Sequence, residues 1–114
     1  STARLIGHPY IGEGCMICAG AVVMPGAVVN DHSIISVNAT VSHDAHVGEF
    51  STVCPGANIA GFAQIGPETF VGANATVIDH VSVCHEVVIG AGACVVNDIL
   101  SPGTYVGVPA KRIK

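Results

Sequence analysis

The chain has 114 residues, half of them apolar yet only 4% aromatic and none tryptophan, and it carries a formal charge of −4 with four lysines and arginines in total. So few cations exclude the clustered basic footprint that nucleic acids require, and apolar stretches broken by Gly, Pro or Asn fall short of the roughly 20 residues that span a bilayer. One domain of this length supports a core, here built from many small aliphatic groups rather than a few large anchors.

Residues 1–10 read as a lead-in, with Leu5 in the register that follows but Pro9 where a small inward residue is needed. No basic and then apolar leader is visible there, so a soluble cytoplasmic protein is expected. From Ile11 an aliphatic residue recurs at every sixth position, Ile17, Val23, Val29, Ile35 and onward to Val95, without a skip. A period of six is neither 3.6 nor 2, and it belongs to repeat architectures. Four places after each aliphatic residue stands a small or β-branched one, such as Ala21, Ala27, Ser33 and Ala39. It lies two places before the next aliphatic residue, so both point to the same side of a strand and into one narrow interior.

Three places after each aliphatic residue come Gly14, Gly20, Gly26, His32, Asn38, Asp44, Gly56, Asn74, Gly92 and Asp98 among others. Many of these types tolerate positive φ, which places a corner there. Pro25, Pro55 and Pro67 sit one place earlier, where a fixed φ begins a turn. Three sixes close a triangle, and positions eighteen apart stack. The expected fold is all-β, a parallel β-helix of about five triangular coils over residues 11–100, with residues 101–114 folding back as a cap. One coil does not stand alone, whereas a stack of them does.

The stacking rule also sorts the five cysteines. Cys18 and Cys54 share a column but lie two coils apart, about 9 to 10 Å and beyond the reach of a disulfide. Cys15 and Cys18 have CxxC spacing with no second pair or nearby His to complete a zinc set. Reduced thiols acting as small fillers are expected, and no metal. On the outer surface one face carries Met16, Ile34, Thr52, Phe70 and Val88, a more apolar stripe than on the other two faces. Such a stripe suits a subunit contact, which a closed homotrimer would bury.

His43 and Asp44 occupy a whole corner, where Gly, Pro and Asn are cheaper. Imidazole, with an ordinary pKa of about 6.5, accepts a proton at neutral pH, and an adjacent carboxylate orients the ring and favours the imidazolium. One coil on lies Gly61, whose backbone is open to approach and whose N–H can meet a developing oxyanion. These three residues are the candidate catalytic set.

The repeat resembles the left-handed parallel β-helix of the hexapeptide-repeat transferases, and the left hand is implied by that resemblance. The strings NATVSHDAHVGEFSTVCPGANIAG, from Asn38 to Gly61, and VGVPAKRIK at the end are similar to the catalytic domain of the sialic-acid and bacillosamine acetyltransferase family. The resemblance implies acetyl-CoA as co-substrate, a sugar acceptor that is often a nucleotide-linked amino sugar, His43 as base, Asp44 as its support and Gly61 as oxyanion donor. It further implies a coenzyme A groove between neighbouring prisms, contacted by Gly61, Ala73 and Ala91, with Lys111 near the phosphate end. Members often carry a second His where Thr52 stands, and they usually begin with a small α/β domain for the acceptor's nucleotide, which this sequence does not contain.

Two other readings compete. His80 and His85 have an HxxxxH spacing like that of the hexapeptide-repeat carbonic anhydrases, but only His85 falls in one of the required slots, Gly90 occupying the other. A zinc hydratase is therefore the alternative enzyme, and a catalytically silent trimeric scaffold is the alternative without chemistry.

Overall fold

The structure, a computed structural model, describes residues 2–114; Ser1, the first residue of the expected lead-in, lies outside them. Among the described residues every strand pairing is parallel except the last, between Gly103–Val106 and Lys111–Arg112, and the strands form three sheets around one interior. Sheet A stacks Arg4–Leu5, Val22–Val23, Thr40–Val41, Asn58–Ile59, Thr76–Val77 and Cys94–Val95. Sheet B stacks Tyr10–Ile11, Val28–Val29, His46–Val47, Gln64–Ile65 and Ser82–Val83. Sheet C stacks Met16–Ile17, Ile34–Ile35, Thr52–Val53, Phe70–Val71 and Val87–Ile89, and then takes in the tail strands Gly103–Val106 and Lys111–Arg112. Each repeat strand pairs with the residue eighteen positions on, Val22 with Thr40 and Val23 with Val41 for example. The chain is thus a triangular solenoid, consistent with the left-handed coil that the sequence resembles. It measures 36 × 22 × 19 Å.

The expected number of coils was about five, and sheet A is six strands deep. The extra strand is Arg4–Leu5, which pairs with Val22–Val23 inside the supposed lead-in. Pro9 misled because the inward residue at this corner normally closes the turn through its N–H, as Ala27 does to the Met24 carbonyl and Ala45 to Ser42. Proline has no N–H to give. The first coil turns another way, with Gly7 in the left-handed region at φ 68°. At the other end Asp98 is not a left-handed corner residue. Its carboxylate instead accepts the Ser82 N–H at 2.9 Å, and the register runs out at the Val83 to Ile99 bridge.

The interior is aliphatic from end to end. Val23, Val29, Ile35, Val41, Val47, Val53, Ile59, Val71, Val77 and Ile89 are fully buried, with Ala21, Ala39, Ala45, Ala57, Ala63 and Ala75 between them. Each buried Val or Ile stabilises by roughly 1.5 to 3 kcal/mol before conformational entropy is subtracted. The three corners are named by the sheets they join. At the AB and CA corners the turn closes on itself through a backbone bond, such as Ala45 N–H to Ser42 and Ala57 N–H to Cys54. The BC corner differs. There Ser33, Ser51 and Thr69 are buried inward in one column. The Ser51 hydroxyl donates to the Gly66 carbonyl at 3.0 Å and accepts from the Thr69 N–H at 3.2 Å, bridging the two ends of the open turn one coil on. Ser33 does the same for Gly48 and Ser51. No buried side-chain polar atom among the described residues lacks a partner.

The tail follows the last coil around. Gly103–Val106 pairs with Val87–Ile89, the Cys94 N–H donates to the Gly107 carbonyl and the Ala110 N–H donates to Cys94, before Lys111–Arg112 returns antiparallel along Tyr105 and Val106. No helix among the described residues is long and apolar enough to cross a membrane.

Candidate active site

The AB corner stacks four residue pairs in register on one another: Pro25–Gly26, His43–Asp44, Gly61–Phe62 and Asp79–His80. The ladder holds them in register, since the Asp44 N–H donates to the Pro25 carbonyl, Phe62 N–H to His43 and His80 N–H to Gly61, each at 3.1 Å. His43 and Gly61 therefore meet one coil apart, as their spacing predicts. The contact is closer than a backbone spacing: the imidazole lies over the Gly61 Cα, and a Cβ there would come within 2.7 Å of His43 Cε1 and 2.8 Å of Nε2. Real Cβ atoms do not sit so near, so only glycine accommodates this ring. Gly61 is buried, and its N–H donates to no protein group among the described residues.

Asp44 completes the set. Its Oδ2 lies 3.4 Å from His43 Nδ1, with both side chains about half exposed. That is longer than a good N–H···O bond. Two other histidines are held more tightly by a neighbouring carboxylate, His80 by Asp79 at 3.0 Å and His85 by Glu86 at 2.9 Å. The His80 hydrogen bond, followed by Asp79's own backbone N–H, holds the Asp79 carboxyl below its ordinary range.

One neighbour of His43 escaped the sequence reading. Phe62 meets its ring edge-on, centroids 5.3 Å apart at 82°, and stacks on His80 at 5.0 Å and 12°. The signal was present in the register, because residues 44, 62 and 80 stand eighteen apart. His80 and His85 do not converge, since His80 stands at the AB corner and His85 at the BC corner. Among the described residues no three His, Cys, Asp or Glu side chains are grouped to hold a metal. All five cysteines are free, and burial pushes the Cys54 thiol pKa up. Thr52 lies on the outer face of sheet C, away from the His43 corner.

Of the residues that the resemblance assigns to coenzyme A, Gly61 stands at this corner and the others fall elsewhere on the prism. Ala73 and Ala91 stack at the CA corner, where the Gly92 N–H donates to the Ala73 carbonyl at 2.8 Å. Lys111 stands on the tail strand, exposed, beyond the segment that covers this corner. The AB and CA corners bound opposite edges of sheet A, so one chain does not bring Ala73, Ala91 and Lys111 to His43.

Comparison with known proteins bears on this arrangement. Two family models match, described as the bacterial transferase hexapeptide (six repeats) over residues 8–43 and the hexapeptide repeat of succinyl-transferase over residues 63–96. No curated protein sequence matches the chain. Among solved structures, the acetyltransferase domain of PglB from Neisseria gonorrhoeae is 37% identical over 98% of this chain with a TM-score of 0.96, and it is also known in complex with acetyl coenzyme A. A histidine-to-alanine mutant of GDP-perosamine N-acetyl transferase from Caulobacter crescentus, in complex with CoA and GDP-perosamine, is 30% identical over 99% of this chain with a TM-score of 0.97. WeeI from Acinetobacter baumannii, 21% identical at a TM-score of 0.93, shares the fold. The chain spans about half of these proteins, 55% of the PglB domain and 54% of the perosamine enzyme. With the register, the three-sheet coil and both repeat models in agreement, the chain carries the hexapeptide repeat of bacterial transferases and is similar over nearly its whole length to one half of these acetyltransferase structures.

Proposed function

We propose that the chain transfers an acetyl group from acetyl-CoA to a sugar, with a nucleotide-linked amino sugar as the acceptor, in the cytoplasm and as a homotrimer. The acceptor nitrogen or hydroxyl oxygen attacks the thioester carbonyl carbon. His43 takes the acceptor's proton, Asp44 steadies the imidazolium, and the Gly61 N–H meets the oxyanion. The C–S bond then breaks, and the imidazolium returns the proton to the departing thiolate. Every atom is accounted for without a metal. The observation that carries this reading is the His43 imidazole resting on a glycine whose N–H is unpartnered.

Two further features support it. The PglB domain binds acetyl coenzyme A and the perosamine enzyme binds CoA and GDP-perosamine. The separation of the two corners across sheet A also favours a site shared between copies, with the AB corner of one chain facing the CA corner of the next. The partly exposed stripe on sheet C, with Met16, Phe70 and Val88 between 41% and 58% exposed, offers apolar surface for such a contact.

The test is calorimetric titration of acetyl-CoA into wild-type protein and His43→Ala, followed by turnover with amino-sugar acceptors. One site per chain is expected in both, with turnover reduced about 10²- to 10⁴-fold in the variant. Intact turnover in His43→Ala removes His43 as the base, and no binding by a folded trimer removes the acetyltransferase reading.

A further inference from the structure

We propose that Phe62 is a positioning residue that fixes the His43 imidazole over Gly61. The inference rests on the reading of His43 as the base, and it starts from an anomaly in backbone chemistry. Phe62 has φ 62°. That left-handed conformation suits Gly, Asn or Asp and is a genuine outlier for a bulky residue. The same slot in the two preceding coils is filled by Gly26 and Asp44, and in the next by His80, which shares the left-handed conformation at φ 63° and, like Phe62, has a ring in the column. Burial does not account for the choice, since Phe62 remains 45% exposed.

Its contacts do. The ring meets the His43 imidazole in the edge-to-face geometry that aromatic pairs prefer. Its other partner is His80, stacked on it and itself tethered to Asp79 at 3.0 Å. The Phe62 N–H also donates to the His43 carbonyl, so one residue touches both the backbone and the side chain of the base. His43 needs this second constraint. Asp44 approaches Nδ1 only to 3.4 Å, whereas His80 and His85 are held by carboxylates at 3.0 and 2.9 Å. A half-exposed imidazole on so long a contact is free to turn about χ1 and χ2 unless something packs against it. The column Asp79, His80, Phe62 and His43 supplies that packing.

Phe50 provides a control within the same molecule. It too is a left-handed phenylalanine, φ 57° and 57% exposed, stacked on His32 at the BC corner. The variants Phe62→Asn and Phe50→Asn relieve the same backbone conflict and remove the same ring, but only the first touches His43.

The experiment has two arms. The first measures the His43 rotamer by its Hα–Hβ couplings and the shift of its Cε1–H in solution NMR. One fixed rotamer is expected in wild type, Phe50→Asn and Phe62→Tyr, and averaged couplings in Phe62→Asn. The second measures turnover, where Phe62→Asn is expected to lose about tenfold or more in kcat, with the KM for acetyl-CoA within roughly twofold, and Phe62→Tyr to restore it. An unchanged single rotamer in folded Phe62→Asn overturns the proposal, as does unchanged kcat. If wild-type protein itself transfers no acetyl group, the proposed activity fails, and the NMR arm still decides whether Phe62 sets the imidazole.

Discussion

Gly61 acts through the side chain it lacks. The His43 ring occupies the space where a Cβ would stand, with Cε1, Nε2 and Nδ1 at 2.7, 2.8 and 3.3 Å from that point. Gly61→Ala keeps the backbone N–H but must push the imidazole aside. A displacement of about 1 Å at a reacting group costs on the order of 10² in rate, so Gly61→Ala is expected to lose about that much kcat while its melting temperature moves little. Wild-type turnover in Gly61→Ala shows that the ring position over Gly61 is not the reactive one. The juxtaposition of His43, Asp44 and Gly61 was legible in the sequence because the period of six fixes which residues stack. Phe62 was equally fixed by that register but passed unnoticed, since an exposed aromatic at a corner announces itself only when its conformation is seen. The contact between His43 and Asp44 was legible as adjacency, and its length of 3.4 Å was not.

At the scale of the element, the inward slots were foreseen as small, and most are alanine. The placement of Ser33, Ser51 and Thr69 has a stricter reason. The BC turns lack the backbone bond that closes the other two corners, and each hydroxyl inserts into the open turn of the next coil: all three donate to its carbonyl, and Ser33 and Ser51 also accept its N–H. Ser51→Ala leaves the half-buried Gly66 carbonyl and the buried Thr69 N–H without that partner. Such a loss costs roughly 1 to 3 kcal/mol, and denaturant unfolding is expected to show it. Ala57→Ser, at a CA corner whose turn is already closed by the Ala57 N–H, gains no such bond and is expected to destabilise as well. A neutral Ser51→Ala shows that the hydroxyl column is a passenger. The serines were visible eighteen apart in the sequence, but which corner leaves its turn open is a property of backbone geometry. The same limit explains the first coil, where Pro9 ruled out one way of closing a turn and Gly7 supplied another.

The whole molecule sets the last problem, because one prism holds His43, the proposed base, at its AB corner and Ala73 and Ala91, the residues proposed for coenzyme A, at its CA corner. If copies associate so that these corners meet, each site draws His43 from one chain and Ala73 and Ala91 from its neighbour. Two inactive variants then repair each other. His43→Ala removes the base; Ala91→Trp blocks the cofactor at an exposed corner position without touching the core. Each alone is expected to be inactive as a homo-oligomer. When the two are unfolded together in equal amounts and refolded, a shared site is intact only where a wild-type AB corner meets a wild-type CA corner, so about one quarter of wild-type activity returns. A site contained within one chain has no such recourse, because every chain in the mixture carries one lesion, and the mixture stays inactive. Recovery near a quarter thus identifies the trimeric contact as part of the active site. Failure to recover, with both variants folded and mixed oligomers present, places the acetyl-CoA along sheet A of a single prism instead.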